Sequence, residues 1–223
     1  MDTNDIIANV PKEVLQETVI RYLKPQEIMH LCQTSKAFNI KLCQSPLLWR
    51  ALYFRDISSN PIVGDSYEKV YKNAYEAISK RSRYNINKYA ARQGYEKLIK
   101  PTGVEEQDAA IYLEAVRGNH LYILKKYLKE PIDNINYAFV ALKYAMADNN
   151  KEIADYILGV LDRNTDLNIH SQSFSRLAAL YNKWDWLEKY NIPINVDGVL
   201  DAGLEIQDQG LINYALENGA TPR

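Results

Sequence analysis

Residues 145–154, Ala145-Met146-Ala147-Asp148-Asn149-Asn150-Lys151-Glu152-Ile153-Ala154, set the pattern from which the rest of the chain can be read. A small residue opens the stretch, a mainly polar turn follows, and an apolar pair closes it. Four other segments superpose on it without gaps: 90–99 from Ala90, 115–124 from Ala115, 178–187 from Ala178 and 203–212 from Gly203. Their starts lie 25, 30, 33 and 25 residues apart. The small residue lets one helix approach its neighbour closely. Gly94, or Asn119, Asn149 and Asn182 at the same place, can take the left-handed backbone of a tight turn, and the apolar pair packs a second helix. Self-similarity at such a period marks stacked helix-turn-helix units.

Outward from these segments the 3.6-residue period continues through almost every stretch, and no run of alternating β-branched residues makes a sheet. An all-helical chain is expected, with helix well above the ~30–35% of an average domain. Pro11, Pro25 and Pro46 each precede an amphipathic run, since a missing N–H costs nothing in the first turn of a helix. Ser45 stands where it can cap the third of these. From Ser58 to Gly64 the sequence Ser-Ser-Asn-Pro-Ile-Val-Gly stacks turn formers and breaks the period, so it reads as a linker. Beyond it Tyr67, Val70, Tyr71, Ala74 and Ile78 share one helical face. Lys80, Arg81 and Arg83 close that run, either complementing the negative end of the helix or forming a phosphate or membrane patch.

The composition excludes several classes. Of 223 residues 47% are hydrophobic and 25% charged, as in a globular protein that buries a core. Twenty-seven lysines and arginines against 28 acids leave a formal net charge of -1, with no global field to hold a nucleic acid. The opening Met1-Asp2-Thr3-Asn4-Asp5 has no basic leader, and no segment approaches the roughly 18 apolar residues of a membrane span. Cys32 and Cys43, the only cysteines, are too few for a secreted disulfide scaffold and lack paired CxxC spacing. A reducing compartment is expected, with Cys32 a core residue on an apolar face. The 17 tyrosines fall mostly at helix-period positions, which suits core and groove packing with the hydroxyl at water or a backbone group.

In the N-terminal stretch Leu15, Val19, Tyr22 and Leu23 form one apolar stripe, Ile28, Leu31, Cys32 and Ser35 a second, and Leu47, Leu48, Trp49 and Leu52 a third. Three helices this short cannot hide so many apolar side chains by themselves. The run Val10-Pro11, Glu13-Val14-Leu15, Ile20, Tyr22-Leu23-Lys24-Pro25, Ile28, Leu31, Thr34-Ser35-Lys36-Ala37-Phe38 and Ser45-Pro46-Leu47-Leu48-Trp49-Arg50 resembles an F-box over residues 9–55. It departs from the family at Val10, where leucine usually precedes the proline, and at Phe38, where tryptophan is common. The resemblance implies a trihelical module that docks on a Skp1-type protein, which links to a cullin and so to a ubiquitin-conjugating enzyme. The partner-facing residues it implies are Pro11, Ile20, Leu23, Pro25, Ile28, Leu31, Ser35 and Trp49.

The five segments resemble divergent ankyrin repeats, whose period is ~33 residues. Asn119 to Leu128 and Asn149 to Leu158 are the nearest to that pattern, and Ala215-Leu216-Glu217-Asn218-Gly219-Ala220 resembles the end of such a unit. None carries the Thr-Pro-Leu-His start, and the 25-residue spacings leave little room for a β-hairpin finger. A generic α-solenoid is the alternative. The expected organisation is an F-box-like module over 1–57, a linker at 58–64, a connecting helix over 65–84 and ankyrin-like repeats over 85–223. An F-box ahead of such repeats is similar to families of large DNA viruses that redirect host ubiquitination.

These resemblances imply an intracellular adaptor of an SCF-type ubiquitin ligase, cytoplasmic or nuclear, with a target protein on the repeats. A decoy that binds Skp1 or another protein without delivering it for ubiquitination is the alternative. No enzyme is expected: His30, His120 and His170 belong to no HExxH, Gly-x-Ser-x-Gly or Cys-His pattern, and no nucleophile-base-orienter set is evident. No cofactor is implied. His30, Cys32 and Cys43 offer three soft ligands without the fourth that closes a zinc tetrahedron, so no metal is expected. Trp186 aligns with an apolar core position. Trp184, two residues earlier, is either core or a contact for the target.

Overall fold

The structure is a computed structural model, and it describes residues 10–128 and 135–221. The opening Met1 to Asp5 lies outside the described residues. Helices take up 75% of them, in 14 helices with no strand among the described residues. The chain divides into two compact units, one ending at Ile111 and the other beginning at Tyr112.

The first unit holds α1 (Lys12–Tyr22), α2 (Pro25–Thr34), α3 (Lys36–Phe38), α4 (Pro46–Asp56), α5 (Tyr67–Ser79) and α6 (Arg83–Gln93). The chain leaves α3 through a π-helical turn, Asn39–Cys43, and leaves α6 through a 3-10 turn, Glu96–Leu98. Pro25 and Pro46 occupy first-turn positions and Pro11 caps α1, as proline's fixed φ and missing donor favour. Ser45 is the N-cap residue of α4, but its hydroxyl makes no capping bond. Ser66 caps α5 by accepting the Lys69 N–H at 3.2 Å. Helix α4 is the centre of the unit: it packs on α1, on the π-helical turn and on α5. Leu48, Trp49, Leu52 and Tyr53 of α4 are buried, as are Val70, Tyr71 and Ala74 of α5. Trp49 and Tyr71 rings meet at 5.7 Å, and the indole N–H donates to the Cys43 carbonyl at 2.6 Å.

Cys32 is buried in the core, as its place on an apolar face suggested, but it is joined to Cys43 as a disulfide, with Cα atoms 5.8 Å apart, a bond that the expectation of a reducing compartment did not foresee. The physical reason is the fold of the π-helical turn, which brings a buried residue 11 positions downstream back against the buried face of α2. That Cα separation falls in the range a disulfide spans. Sequence spacing alone gave no sign of it.

Helix α7 (Glu105–Arg117) runs from the first unit into the second, followed by α8 (Leu121–Tyr127), α9 (Ile135–Ala147), α10 (Lys151–Asn164), α11 (Ser171–Tyr181), α12 (Trp184–Lys189), α13 (Val196–Ile206) and α14 (Gln209–Glu217). The turns that close α6, α7, α9, α11 and α13 share one geometry. Gly94, Asn119, Asn149, Asn182 and Gln207 all have positive φ, between 52° and 78°. Beyond each, an N–H bonds back across the turn: Tyr95 to Ala90 O, His120 to Ala115 O, Asn150 to Ala145 O, Lys183 to Ala178 O and Asp208 to Gly203 O, at 2.8–2.9 Å. This six-to-one bond satisfies carbonyls that a helix end would otherwise orphan. The residue supplying the carbonyl is buried in all five turns, as its small size allows. Within the second unit α9 packs on α10 and α11, α11 on α12 and α13, and α13 on α14.

Candidate partner-binding surfaces

The residues assigned to a partner by sequence fall into two sets. Pro11 is exposed, while Ile20, Leu23, Pro25 and Leu31 are half-buried at the surface of α1 and α2. Ile28, Ser35 and Trp49 lie inside the unit, at 0%, 8% and 1% exposure. Ser35 caps α3, its hydroxyl accepting the Phe38 N–H at 3.2 Å. In this structure those three side chains serve the module's own packing and present little surface.

Other apolar side chains stand outside the core. Tyr22 is 70% exposed, Leu47 65% and Val14 53%, which decides that the module carries an uncovered apolar surface. Val14 precedes the buried Val19 by five residues and Leu47 precedes the buried Leu48 by one, so at ~100° per residue both lie off the covered stripe and helical periodicity could have found them. Tyr22 departs from its expected stripe: it is the last residue of α1, and its ring stays outside the core.

Charged groups fix α1 against α4. Arg55 donates from Nε and Nη2 to both oxygens of Asp56 at 2.6 Å and from Nη1 to the carbonyls of Val19 and Ile20. It thereby occupies the negative end of α1. The Tyr71 hydroxyl donates to Asp56 Oδ2 at 2.6 Å. Burial first, then the Asp56 hydrogen bond and charge, pushes the Tyr71 phenol far above its ordinary range. It therefore stays a donor at any physiological pH. Burial also raises the Tyr75 phenol, next to it at 4.9 Å between ring centroids.

In the second unit successive turns are tied side chain to side chain. Asn150 Nδ2 donates to Asn119 Oδ1, and Lys183 Nζ donates to Asn149 Oδ1 at 2.5 Å. The Arg117 guanidinium lies 4.0 Å from the Tyr144 ring centre and bonds its hydroxyl. Arg176 pairs with Glu205 at 2.6 Å between α11 and α13. A shallow groove of about 220 Å³ lies along α9 and α11, walled by Phe139, Val140 and Leu177 with Lys143, His170 and Arg176 at its edge. Trp186 is buried, as its place in the pattern suggested. Trp184 is half-buried and packs against a cluster that includes Ala179, Val199, Leu200 and Ala215. Part of its ring remains available to a partner.

Among the described residues no group of three or more His, Cys, Asp or Glu side chains is placed to hold a metal ion. Nor is any described helix long and apolar enough to cross a membrane. No family model matches the chain, and no curated protein or solved structure matches it.

Proposed function

We propose that the chain is a non-catalytic adaptor whose N-terminal F-box-like module docks on a Skp1-type protein while its divergent ankyrin-like helix pairs hold a target for ubiquitination. The observation that supports this reading is the uncovered apolar surface of the small N-terminal module. Ile20, Leu23, Leu31, Val14 and Leu47 remain wholly or partly outside a core already filled by Ile28, Leu48 and Trp49. Covering a fully exposed leucine contributes about 1.5–3 kcal/mol, so Leu23 and Leu31, already partly covered, each offer a part of that and the exposed Val14 and Leu47 add to it. The four helix pairs of the second unit suit target binding, because stacked pairs expose equivalent strips along one face.

The test is calorimetric titration of the whole chain with a Skp1-type protein, beside a Leu23→Asp/Leu31→Asp variant whose fold is checked by circular dichroism. Two aspartates must be desolvated where two leucines were covered. A loss of about 4 kcal/mol corresponds to roughly a thousandfold weaker binding. A wild-type chain that shows no micromolar binding, or a folded variant that binds as tightly as wild type, rejects the docking. Co-purification of a cullin with the bound complex separates delivery of a target from sequestration of Skp1.

A further inference from the structure

A cleft of about 630 Å³ opens in the first unit beside the end of α4, and its wall carries Arg55, Arg83, Lys97 and Lys100 against a single carboxylate, Asp56. The Arg55–Asp56 pair is internally satisfied: both carboxylate oxygens accept from Arg55, and Tyr71 adds a third bond. Three positive charges are therefore left without a carboxylate among the described lining residues. Lys80 and Arg81, the neighbours of Arg83 in sequence, are employed elsewhere. Lys80 pairs with Glu76 at 2.6 Å, and Arg81 donates to the Ala77 carbonyl at 2.8 Å. Only Arg83 of that basic run turns to the cleft.

The backbone under the other two cations is fixed. Asn87, 1% exposed, clamps Lys100 from both sides: its Nδ2 donates to the Lys100 carbonyl at 2.8 Å, and its Oδ1 accepts the Lys100 N–H at 2.9 Å. Lys97 donates its N–H to the Ile57 carbonyl at 3.0 Å and one ammonium proton to the Phe54 carbonyl. That leaves two of its three ammonium protons. The remaining wall is apolar or aromatic, formed by Tyr75, Ile78, Ile86 and Leu98.

We propose that this cleft binds a phosphate monoester, its dianion held by Arg83, Lys97 and Lys100 and its organic body laid against Tyr75, Ile78, Ile86 and Leu98. Guanidinium and ammonium donors together match the charge and acceptor geometry of a phosphate better than of a single carboxylate. The volume is that of a small-molecule or side-chain pocket, larger than a bare anion fills. The phosphate can be carried by a free small molecule or by a phosphorylated side chain of a protein. A failed Skp1 titration leaves the site untouched, since no docking residue lines it.

The experiment is calorimetric titration of the full chain with phenyl phosphate, inorganic phosphate and a short phosphotyrosyl peptide, at low and at physiological salt. Phenyl phosphate is expected to bind one to one, more tightly than inorganic phosphate, and to weaken as salt rises. Arg83→Gln/Lys100→Gln, two exposed positions, should weaken it at least about tenfold, the loss of one charge-assisted bond or more. Lys12→Gln, an exposed cation outside the cleft, should leave it unchanged. Tighter binding of the peptide than of phenyl phosphate assigns the ligand to a protein, and weaker binding assigns it to a free metabolite. Absence of saturable binding at millimolar phenyl phosphate, an unchanged affinity in the double variant, or equal affinity for inorganic phosphate would overturn the proposal.

Discussion

Replacing Gly198 with alanine should destabilise the second unit by about 2 kcal/mol, because two helix backbones meet at that position. Gly198 is buried in the first turn of α13, with its N–H bonded to the capping Asn195 side chain at 3.1 Å. A Cβ there would lie 2.2 Å from the Gln172 carbonyl oxygen, 3.0 Å from its carbon and 3.2 Å from the Arg176 nitrogen. All three atoms are backbone of α11, so no rotamer change can make room. An ordinary carbon-to-oxygen contact is ~3.3 Å or more, so the two helices must part by about 1 Å. Such a gap forfeits a quarter to a half of each dispersion contact across it, and overpacking of this kind costs about 1–3 kcal/mol, here at the upper end. Against that, alanine's helix propensity returns up to about 1 kcal/mol.

Gly159→Ala provides the control, because a Cβ there meets only the far end of Arg163, at 3.5 Å. The propensity gain then stands alone, and stability should rise by about 0.5–1 kcal/mol. Guanidinium unfolding of both variants and wild type, followed by far-ultraviolet circular dichroism and tryptophan fluorescence, measures the two signs. The reasoning fails if Gly198→Ala lies within about 0.5 kcal/mol of wild type, or if Gly159→Ala loses as much as Gly198→Ala.

Two further outcomes follow from the backbone and the cysteines. Gln207 holds φ at 57° in a turn where the first equivalent position carries glycine, so Gln207→Gly should raise the unfolding free energy by up to about 1 kcal/mol, read from the same denaturation curves. Reduction of the Cys32–Cys43 bond, which closes a loop spanning 11 positions, should cost the first unit about 2–3 kcal/mol. Melting with and without reductant tests this, and identical curves, with free-thiol titration confirming reduction, would remove the disulfide from the account of stability.

The sequence by itself determined the all-helical class, the proline-led helix starts, and the turns after Ala90, Ala115, Ala145 and Ala178. Each of these is a local property. A 3.6-residue period, a small residue and an Asn or Gly four positions on specify a helix end whatever lies around it. Gln207, at the fifth turn, has a side chain with no left-handed preference, so only its alignment with Gly94 and the asparagines points to it. What the tertiary structure decided was which face of each helix is covered. Ile28 and Leu31 are three residues apart on one apolar stripe, yet α2 packing buries the first and leaves the second half at the surface. Trp49, an attractive partner-facing residue by motif, is enclosed because α5 lies against α4 and brings Tyr71 to its ring. The joining of Cys32 to Cys43, the backbone contact at Gly198 and the meeting of Arg83, Lys97 and Lys100 around one cleft all depend on separate elements folding together. Such juxtapositions are set by long-range packing, which a local period does not encode.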